Sequence, residues 1–224
     1  MSADAGTAPR PDLSNVVALI PARSLSGSKS RLGEPLDAEE RASLVLGLLR
    51  RSVRAVLASR RVSDAVVVSM DDDILAEAAA MGARPLLQKT AGLNEGLADG
   101  REAVAAAATA VLVLPADLPE VGPASIDRLI ETAEAALTSA SIAGTGIVAL
   151  VPDRHGTGTN ALLVSPPNLI EFCFGEGSRR DHSEAARRAG ALYLEVNGPL
   201  NFDVDTPEDL LLADLRGLDH EAGR

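Results

Sequence analysis

The amino-acid sequence predicts a single α/β domain built on a mixed, mainly parallel sheet. Short, fully apolar runs recur along the chain, a pattern typical of strands that are buried on both faces. The first of these runs alternate with segments in which apolar residues have helical spacing. A chain of 224 residues can bury a substantial core, and neither an internal repeat nor a strong linker divides it. We therefore expect a disordered leader at 1–14, one domain over 15–216 and a tail at 217–224.

The first strand is expected at residues 16–20 and ends at Pro21, because proline has no N–H to give to a sheet ladder. A Gly/Ser loop at 24–28 follows, and then Lys29 and Arg31. Only two of the 21 cationic residues are lysines, and the compact ammonium of Lys29 suits a triphosphate. A strand, a small-residue loop and cations together are typical of a phosphate site. An ordinary connection with solvated cations would give the same pattern.

The following elements alternate regularly up to residue 139. We expect helices at 37–58, 71–82, 93–108 and 123–139, and strands at 65–69, 84–87 and 110–114. The acid triplet at 71–73 is interpreted as a helix cap rather than a metal site, because carboxylates favour the helix N-terminus. Beyond residue 139 the alternation weakens, and we expect strands at 147–151, 161–165 and 193–196, a helix at 178–189 and a last helix that ends near 215.

Three aspartates lie where such a sheet would bring them together. Asp117 follows the strand at 110–114, and open α/β sheets bind ligands at the carboxyl ends of their strands. Asp203 and Asp205 share one face of an extended segment, since residues two apart point the same way. Hard oxygen ligands of this kind suit Mg²⁺, which binds through a few carboxylates and substrate phosphates. The sequence therefore predicts a magnesium site formed by these three side chains.

Other catalytic chemistries find little support in the sequence. His155 and His182 are assigned to polar, basic loops and His220 to the tail, so no Ser–His–Asp or Cys–His arrangement is convincing. Cys173 lies in a short apolar run, and Cys/His spacing for zinc is absent. Phosphoryl or nucleotidyl transfer fits better, because it depends on positioning and charge neutralisation more than on a protein nucleophile. A phosphate monoester is already anionic near pH 7 and needs no general base to attack.

Composition and charge exclude several classes of protein. The net charge of −11 argues against a nucleic-acid binder, which needs a basic footprint. The single cysteine forms no internal disulfide and suits a reducing cytosol. No apolar run approaches the roughly 20 residues of a membrane span, and the N-terminal residues lack a signal-peptide core. We expect a cytoplasmic protein without nucleic-acid or membrane partners, and homo-oligomerisation is left open.

Several segments resemble the guanylyltransferases of coenzyme F-420 biosynthesis, which activate 2-phospho-L-lactate or phosphoenolpyruvate with GTP. The likeness runs in order over about 16–216, through the segments 20–32, 93–97, 115–119, 153–160, 174–178 and 203–207. Gly-Thr-Gly-Thr at 156–159 and Asp-Val-Asp-Thr-Pro at 203–207 are specific in combination. The resemblance implies a Rossmann-like, GT-A-like nucleotidyltransferase fold.

The resemblance also implies roles for individual residues. Mg²⁺ would be held by Asp117, Asp203 and Asp205, and the catalytic residues would be Lys29 and Asp117. The three-carbon phosphorylated acid would be bound by Arg23, Thr159, Gly175 and Ser178, and the GTP by Lys29, Arg31 and Asn94. For Asn94, an ordinary helix N-cap is the alternative. The family usually has Lys at the place of Arg23, so the preference for one acid over the other does not carry over.

The expected reaction is transfer of GMP from GTP to phosphoenolpyruvate, or to 2-phospho-L-lactate, with release of pyrophosphate. One alternative is a related nucleotidyltransferase of the sugar-phosphate or molybdopterin type. Another is a glycosyltransferase, because Asp-x-Asp at 203–205 is a pattern that such enzymes use to hold a nucleotide-sugar diphosphate. A non-catalytic nucleotide sensor would bind GTP without turnover. Acceptor screening with detection of pyrophosphate separates these alternatives, since a glycosyltransferase releases no pyrophosphate.

Overall fold

The structure is a computed structural model that describes residues 11–23, 36–140, 146–204 and 206–215. Across these ranges it has seven strands in one sheet and six α-helices. The strands are β1 (Val16–Pro21), β2 (Val62–Ser69), β3 (Arg84–Leu87), β4 (Ala110–Val113), β5 (Ile147–Pro152), β6 (Thr159–Ser165) and β7 (Leu192–Glu195). The helices are α1 (Ala38–Ala58), α2 (Asp72–Ala80), α3 (Leu93–Val104), α4 (Pro123–Ser139), α5 (Ser178–Arg188) and α6 (Pro207–Leu215).

The strand order is β3-β2-β1-β4-β6-β5-β7. Strands β1 to β4 are parallel to one another, and β7 is parallel to β5. Strand β6 is antiparallel to both of its neighbours, β4 and β5, so the other strands all run in one direction. The expectation of an α/β fold with a mixed, mainly parallel sheet is confirmed.

Two hydrophobic clusters cover the two faces of this sheet. Alternate residues of β1 divide between them, with Val16, Ala18 and Ile20 on one face and Val17 and Leu19 on the other, as the pleat requires. Helices α1, α2 and α4 pack on the first face, and α3 and α5 pack on the second. The apolar runs of the sequence are therefore buried on both sides, as in other parallel sheets.

Most of the expected elements are confirmed, and two of the helix caps have the expected residues. Asp37 and Glu40 form a capping box at the start of α1, and the Asp71 carboxylate accepts two backbone N–H groups at the start of α2. The interpretation of the acid triplet as a cap is thus confirmed. Strand β6 begins at Thr159, two residues earlier than expected, because its pairing with β5 extends to Pro152.

The folded part of the chain begins earlier than expected. Leu13 is buried in the core, and the Asp12 N–H donates to Ser165 Oγ at 3.1 Å. The Ser165 hydroxyl in turn donates to the Asp12 carbonyl at 2.9 Å. Residues 11–14 therefore pack with the domain rather than with a leader, and residues 1–10 lie outside the described ranges. In the part of the chain that is described, no helix is long and apolar enough to cross a membrane.

Candidate active site

The direction of the strands brings the candidate residues to one edge of the sheet. Because all strands except β6 run the same way, their carboxyl ends meet at this edge. Asp117 follows β4 there. Strand β6 runs in the opposite direction and begins at the same edge, so its first two residues, Thr159 and Asn160, lie beside the segment that follows β4.

Two of the three predicted metal ligands belong to segments that meet at this edge. The Val204 N–H donates to the Asp117 carbonyl at 3.1 Å. The segment that carries Asp203, called the late acidic segment below, therefore lies against the end of β4. Asn160 Nδ2 donates to Asp203 Oδ1 at 3.3 Å. Asp205 lies outside the described residues, among which no group of three or more His, Cys, Asp or Glu side chains is arranged to hold a metal. The three-acid site therefore remains a prediction.

Arg154 holds the late acidic segment against the hairpin that joins β5 and β6. Its guanidinium pairs with the buried carboxylate of Asp209 and lies 5.5 Å from the centre of the Phe202 ring. Asp209 also accepts the Thr206 N–H at 2.8 Å, and the Thr206 hydroxyl accepts the Asp209 N–H at 3.3 Å, so these two residues cap the start of α6. Asp203 is thus flanked on both sides by residues that contact Arg154.

The hairpin loop is itself docked onto α5. The Asp153 carboxylate accepts the Thr157 N–H at 2.8 Å, and the Arg179 N–H donates to the Thr157 carbonyl at 3.2 Å. The Arg179 guanidinium donates to the Gly156 carbonyl at 2.8 Å and forms a bidentate pair with Glu195. The hydrogen bond from Arg179 is the main reason that the pKa of Glu195 lies below its usual value. These contacts set the position from which β6 begins.

A tight loop precedes α5 and requires glycine at two positions. Gly175 has φ of 134° and Gly177 has φ of 73°, values that residues with a Cβ rarely adopt. Gly177 caps the helix without a side chain, so the positive end of the α5 dipole faces the loop. Ser178 is the first residue of α5 and is buried. Gly175 and Ser178, which the resemblance assigns to the same ligand, are therefore neighbours in one turn.

His182 links this loop to Thr159. It is fully buried on α5, one turn after Ser178, so its assignment to a polar loop was wrong. Its Nδ1 lies 3.1 Å from Thr159 Oγ1, and its Nε2 accepts the Cys173 N–H at 3.0 Å. Burial is the main reason that the pKa of His182 falls to about 4. The imidazole is therefore neutral near pH 7.

Asn94 fixes the same loop from the opposite side. Its Oδ1 accepts the Phe174 N–H at 2.8 Å, and its Nδ2 donates to the Phe174 carbonyl at 3.0 Å. Gly92 is the N-cap of α3, so the alternative that Asn94 caps this helix is wrong. Both polar atoms of its amide are engaged with backbone, and its contact with a nucleotide remains a prediction.

A cavity of about 360 Å³ opens between the hairpin loop, the α5 loop and the late acidic segment. Gly175 and Asp203 line it, and Thr159 and Ser178 lie in the elements that border it. A second cavity of about 420 Å³ lies beside Arg179 and Glu195, whose charges neutralise each other. The first cavity is the better candidate, because two residues that were predicted from the sequence, Gly175 and Asp203, line it.

Three cationic residues that were predicted for the site follow β1. Arg23 is exposed just after β1, where the Ala22 N–H donates to the Val68 carbonyl at 2.9 Å. Lys29 and Arg31 lie outside the described residues, so their assignment to the GTP phosphates remains a prediction.

The sequence analysis missed three residues that shape the site. Asn160 and Arg154 lie in the segment 153–160, whose glycines and hydroxyls are the more evident signal of an anion site. Their contacts with Asp203 and Asp209 join residues far apart in the chain, which a single sequence does not reveal. His182 could have been suspected, because it lies four residues after Ser178 and therefore on the same face of a helix.

The comparisons with known proteins agree with this architecture. The family described as "Guanylyl transferase CofC like" matches residues 16–223. A phosphoenolpyruvate guanylyltransferase from Sphaerobacter thermophilus is 44% identical over 197 residues, which are 87% of this chain and 90% of the relative. Another from Rubrobacter xylanophilus is 42% identical over 208 residues, which are 91% of this chain and 95% of the relative.

Solved structures with lower sequence identity show the same fold. A protein described as a nucleotide-diphospho-sugar transferase from Desulfovibrio desulfuricans is 16% identical and superimposes with a TM-score of 0.70 over 93% of this chain and 90% of that one. A nucleotidyl transferase from Methanothermobacter thermautotroptrophicus is 20% identical and superimposes with a TM-score of 0.64 over 90% of this chain and 98% of that one. The fold is thus that of nucleotidyltransferases, and on the family match and the two relatives the chain belongs to the family of CofC-like guanylyl transferases.

Proposed function

We propose that this protein transfers GMP from GTP to phosphoenolpyruvate, giving enolpyruvyl-diphospho-guanosine and pyrophosphate. A phosphate oxygen of the acceptor attacks the α-phosphorus of GTP in line, a new P–O–P linkage forms, and the bond to the pyrophosphate leaving group breaks. The observation that carries the proposal is a series of contacts from Asp117 to Thr159. The Asp117 carbonyl accepts the N–H of the residue after Asp203, and Asp203 accepts a hydrogen bond from Asn160, the neighbour of Thr159. Along this series two of the three predicted metal ligands, Asp117 and Asp203, adjoin the predicted acid subsite. Relatives named phosphoenolpyruvate guanylyltransferase support the choice of substrates.

The phosphorylated acid is assigned to the α5 side of the edge. Thr159 and Ser178 offer hydroxyls, and Gly175 allows a close approach of the backbone beside the N-terminus of α5. Anions bind well at such a helix end, because its N–H groups and its dipole both favour negative charge. We assign Arg23 to the same substrate, since guanidinium forms bidentate hydrogen bonds with carboxylate or phosphate.

The triphosphate is assigned to Lys29 and Arg31, and the guanine to the neighbourhood of Asn94. We propose Asp117, Asp203 and Asp205 as ligands of a divalent cation, Mg²⁺. Their fit rests on donor chemistry, since carboxylate oxygens are the ligands that Mg²⁺ prefers, and on the contact between the segments that carry Asp117 and Asp203. The metal would neutralise charge on the reacting phosphates.

The protein need not supply a base or a nucleophile for this reaction. His182 is neutral, and its Nε2 already accepts a backbone hydrogen bond. Burial raises the pKa of the Cys173 thiol, so it is not an activated nucleophile. The acceptor phosphate is anionic near pH 7, so binding and orientation by the residues named above are sufficient. We place the product in coenzyme F-420 biosynthesis on the basis of the family resemblance.

An acceptor screen tests the proposed function. The purified chain is incubated with GTP or ATP, Mg²⁺ and one acceptor: phosphoenolpyruvate, 2-phospho-L-lactate, a sugar phosphate or a pterin phosphate. We expect pyrophosphate release and a guanylylated product by mass spectrometry with GTP and phosphoenolpyruvate. GTP binding without any pyrophosphate would instead support a nucleotide sensor. Release with a sugar phosphate alone would support the related nucleotidyltransferase.

Arg23 provides a test of acceptor choice within the proposed function. Arg23→Lys restores the residue that is usual in the family, and we expect a changed KM for the acceptor with an unchanged KM for GTP. Phosphoenolpyruvate and 2-phospho-L-lactate should be compared, since they differ in planarity at the carbon that bears the phosphate. Identical KM values for both acids in the two proteins would show that Arg23 does not contact the acceptor.

A further inference from the structure

We propose that His182 is a positioning residue that turns the Thr159 hydroxyl into a hydrogen-bond donor toward the phosphorylated acid. This inference rests on the proposed function, because it names how one residue of the acid subsite is oriented. Both side chains are buried, and His182 Nδ1 lies 3.1 Å from Thr159 Oγ1. His182 does not contact the substrate itself in this proposal.

The tautomer of His182 follows from its second contact. Its Nε2 lies 3.0 Å from the Cys173 backbone nitrogen, which can only donate. Nε2 must therefore accept and carries no proton. A neutral imidazole has one N–H, which is then on Nδ1, the atom that lies 3.1 Å from Thr159 Oγ1. The Ser178 backbone, one turn earlier on α5, also forms a hydrogen bond with this ring. The contact with Cys173 thus determines the direction of the contact with Thr159.

The direction of this hydrogen bond determines what Thr159 can offer to an anion. A hydroxyl has one proton and two lone pairs. When Oγ1 accepts from His182, its own proton is left for another acceptor, and among the described residues Oγ1 has no hydrogen-bond partner except His182. With the opposite tautomer, Thr159 would donate to Nδ1 and present only lone pairs, which repel a carboxylate or phosphate.

The same imidazole also holds the loop that contains the other acid-binding residues. The Phe174 ring packs against it edge-on at 4.9 Å between centroids, and the hydrogen bond with Cys173 fixes the backbone just before Gly175. Ser178 lies one turn earlier on α5. A buried, neutral imidazole therefore connects Thr159, Gly175 and Ser178, so its replacement should change acid binding more than GTP binding.

Two substitutions separate the two contacts of His182. In His182→Gln, the longer side chain can place its oxygen where Nε2 accepts from Cys173, and the donor to Thr159 is lost. In His182→Asn, the shorter side chain can place its NH₂ where Nδ1 donates to Thr159. We expect His182→Gln to raise KM for phosphoenolpyruvate about tenfold or more, the loss expected for a hydrogen bond to a charged group. We expect KM for GTP to stay unchanged. In His182→Asn, KM for phosphoenolpyruvate should return most of the way to its wild-type value.

Thr159→Val completes a double-mutant cycle. Because valine removes the hydroxyl that His182 orients, His182→Gln should have little further effect on KM for phosphoenolpyruvate in the Thr159→Val background. His220→Gln serves as the control for the change of residue type and should match wild type. Equal effects of His182→Gln in both backgrounds, or equal changes in the KM of both substrates, would overturn the proposal and leave His182 with a structural role.

A direct readout of the tautomer needs neither substrate nor a folded variant. In ¹⁵N-labelled wild-type protein at pH 7, long-range ¹H–¹⁵N spectra of the three histidines should show one ring with a protonated Nδ1 and an unprotonated Nε2. A ring protonated on Nε2 at this position, or a charged ring, would overturn the proposal even in an active enzyme. Failure of the proposed function would appear instead as wild-type protein without guanylyl transfer to phosphoenolpyruvate.

Discussion

The half of the sheet formed by β1 to β4 and the half formed by β5 to β7 place their site residues in different ways. In the first half all strands are parallel, and the candidate residues simply follow the strand ends. In the second half β6 runs against its neighbours, so Thr159 and Asn160 lie where a strand begins. Their loops are fixed by side chains of other elements, chiefly Arg154, Arg179 and His182.

This difference has a consequence for mutation. Topology alone brings Asp117 to the active edge, whereas single hydrogen bonds determine the geometry around Thr159, Gly175 and Asp203. Substitutions of supporting residues should therefore change the acid subsite more than the nucleotide subsite.

The largest effect is expected for the carboxylates at the junction of the two halves. Asp117→Asn and Asp203→Asn should each lower turnover by orders of magnitude, because both remove charge that would hold Mg²⁺. A chelator should abolish wild-type activity. Neither variant should be less stable without metal, since each relieves repulsion between carboxylates. Glu102→Gln, on an exposed face of α3, is the control. Full activity in chelator would contradict the metal site.

The buried imidazole of the second half should make stability depend on pH. Burial lowers the pKa of His182 from 6.5 to about 4, so between these values the unfolded chain binds a proton that the folded chain does not. The contribution of His182 to stability is thus fully present above pH 6.5 and falls by about 3 kcal/mol as the pH decreases to 4. Urea unfolding at pH 7 and at about pH 4 should show that the free energy of unfolding decreases less in His182→Gln than in wild type. An equal decrease in the two proteins would contradict the neutral, buried imidazole.

The link between Arg154 and Asp209 should be important for stability. Arg154→Leu leaves a buried carboxylate without its cation and should lower the free energy of unfolding by about 3 kcal/mol. Arg60→Leu is a matched control, because the Arg60 side chain is 85% exposed beside Asp127. Asp127 keeps the Ser59 hydroxyl and a backbone N–H as donors. Similar unfolding curves for the two variants would contradict the role of Arg154.

A smaller effect is expected for Asn94, which connects α3 of the first half to the loop of the second. Asn94→Ala removes both hydrogen bonds to Phe174 and should destabilise the chain by about 1–2 kcal/mol. It should raise KM for phosphoenolpyruvate, and it should lower the ratio of GTP to ATP turnover, because the guanine is assigned to the neighbourhood of this amide. An unchanged ratio would contradict that assignment and leave Asn94 with the role of holding the loop.

The first half of the fold could be predicted closely from the sequence. Strand β3 and helix α4 have the expected bounds, and Asp37 and Asp71 cap their helices, because caps and buried parallel strands depend on local sequence. Strand β6 was also found, but a single sequence does not show which strands pair. The hairpin with β5 therefore became clear only in the structure.

The candidate site was predictable for residues that would touch a ligand and not for those that support them. Asp203, Thr159 and Ser178 lie in short motifs whose residue types already indicate phosphate or metal chemistry. Asn160, Arg154 and His182 act through partners 43, 55 and 23 residues away. Such contacts depend on tertiary packing, which local patterns do not encode.

A pair of substitutions, one in each half, is the decisive kinetic experiment. Thr159→Val should raise KM for phosphoenolpyruvate about tenfold or more and leave KM for GTP unchanged, because it removes a hydrogen bond to a charged substrate. Lys29→Ala should do the reverse, since its ammonium is assigned to the triphosphate. Opposite selectivity in the two variants would support the division of the site between the two halves. The same change in both KM values for either variant would contradict it.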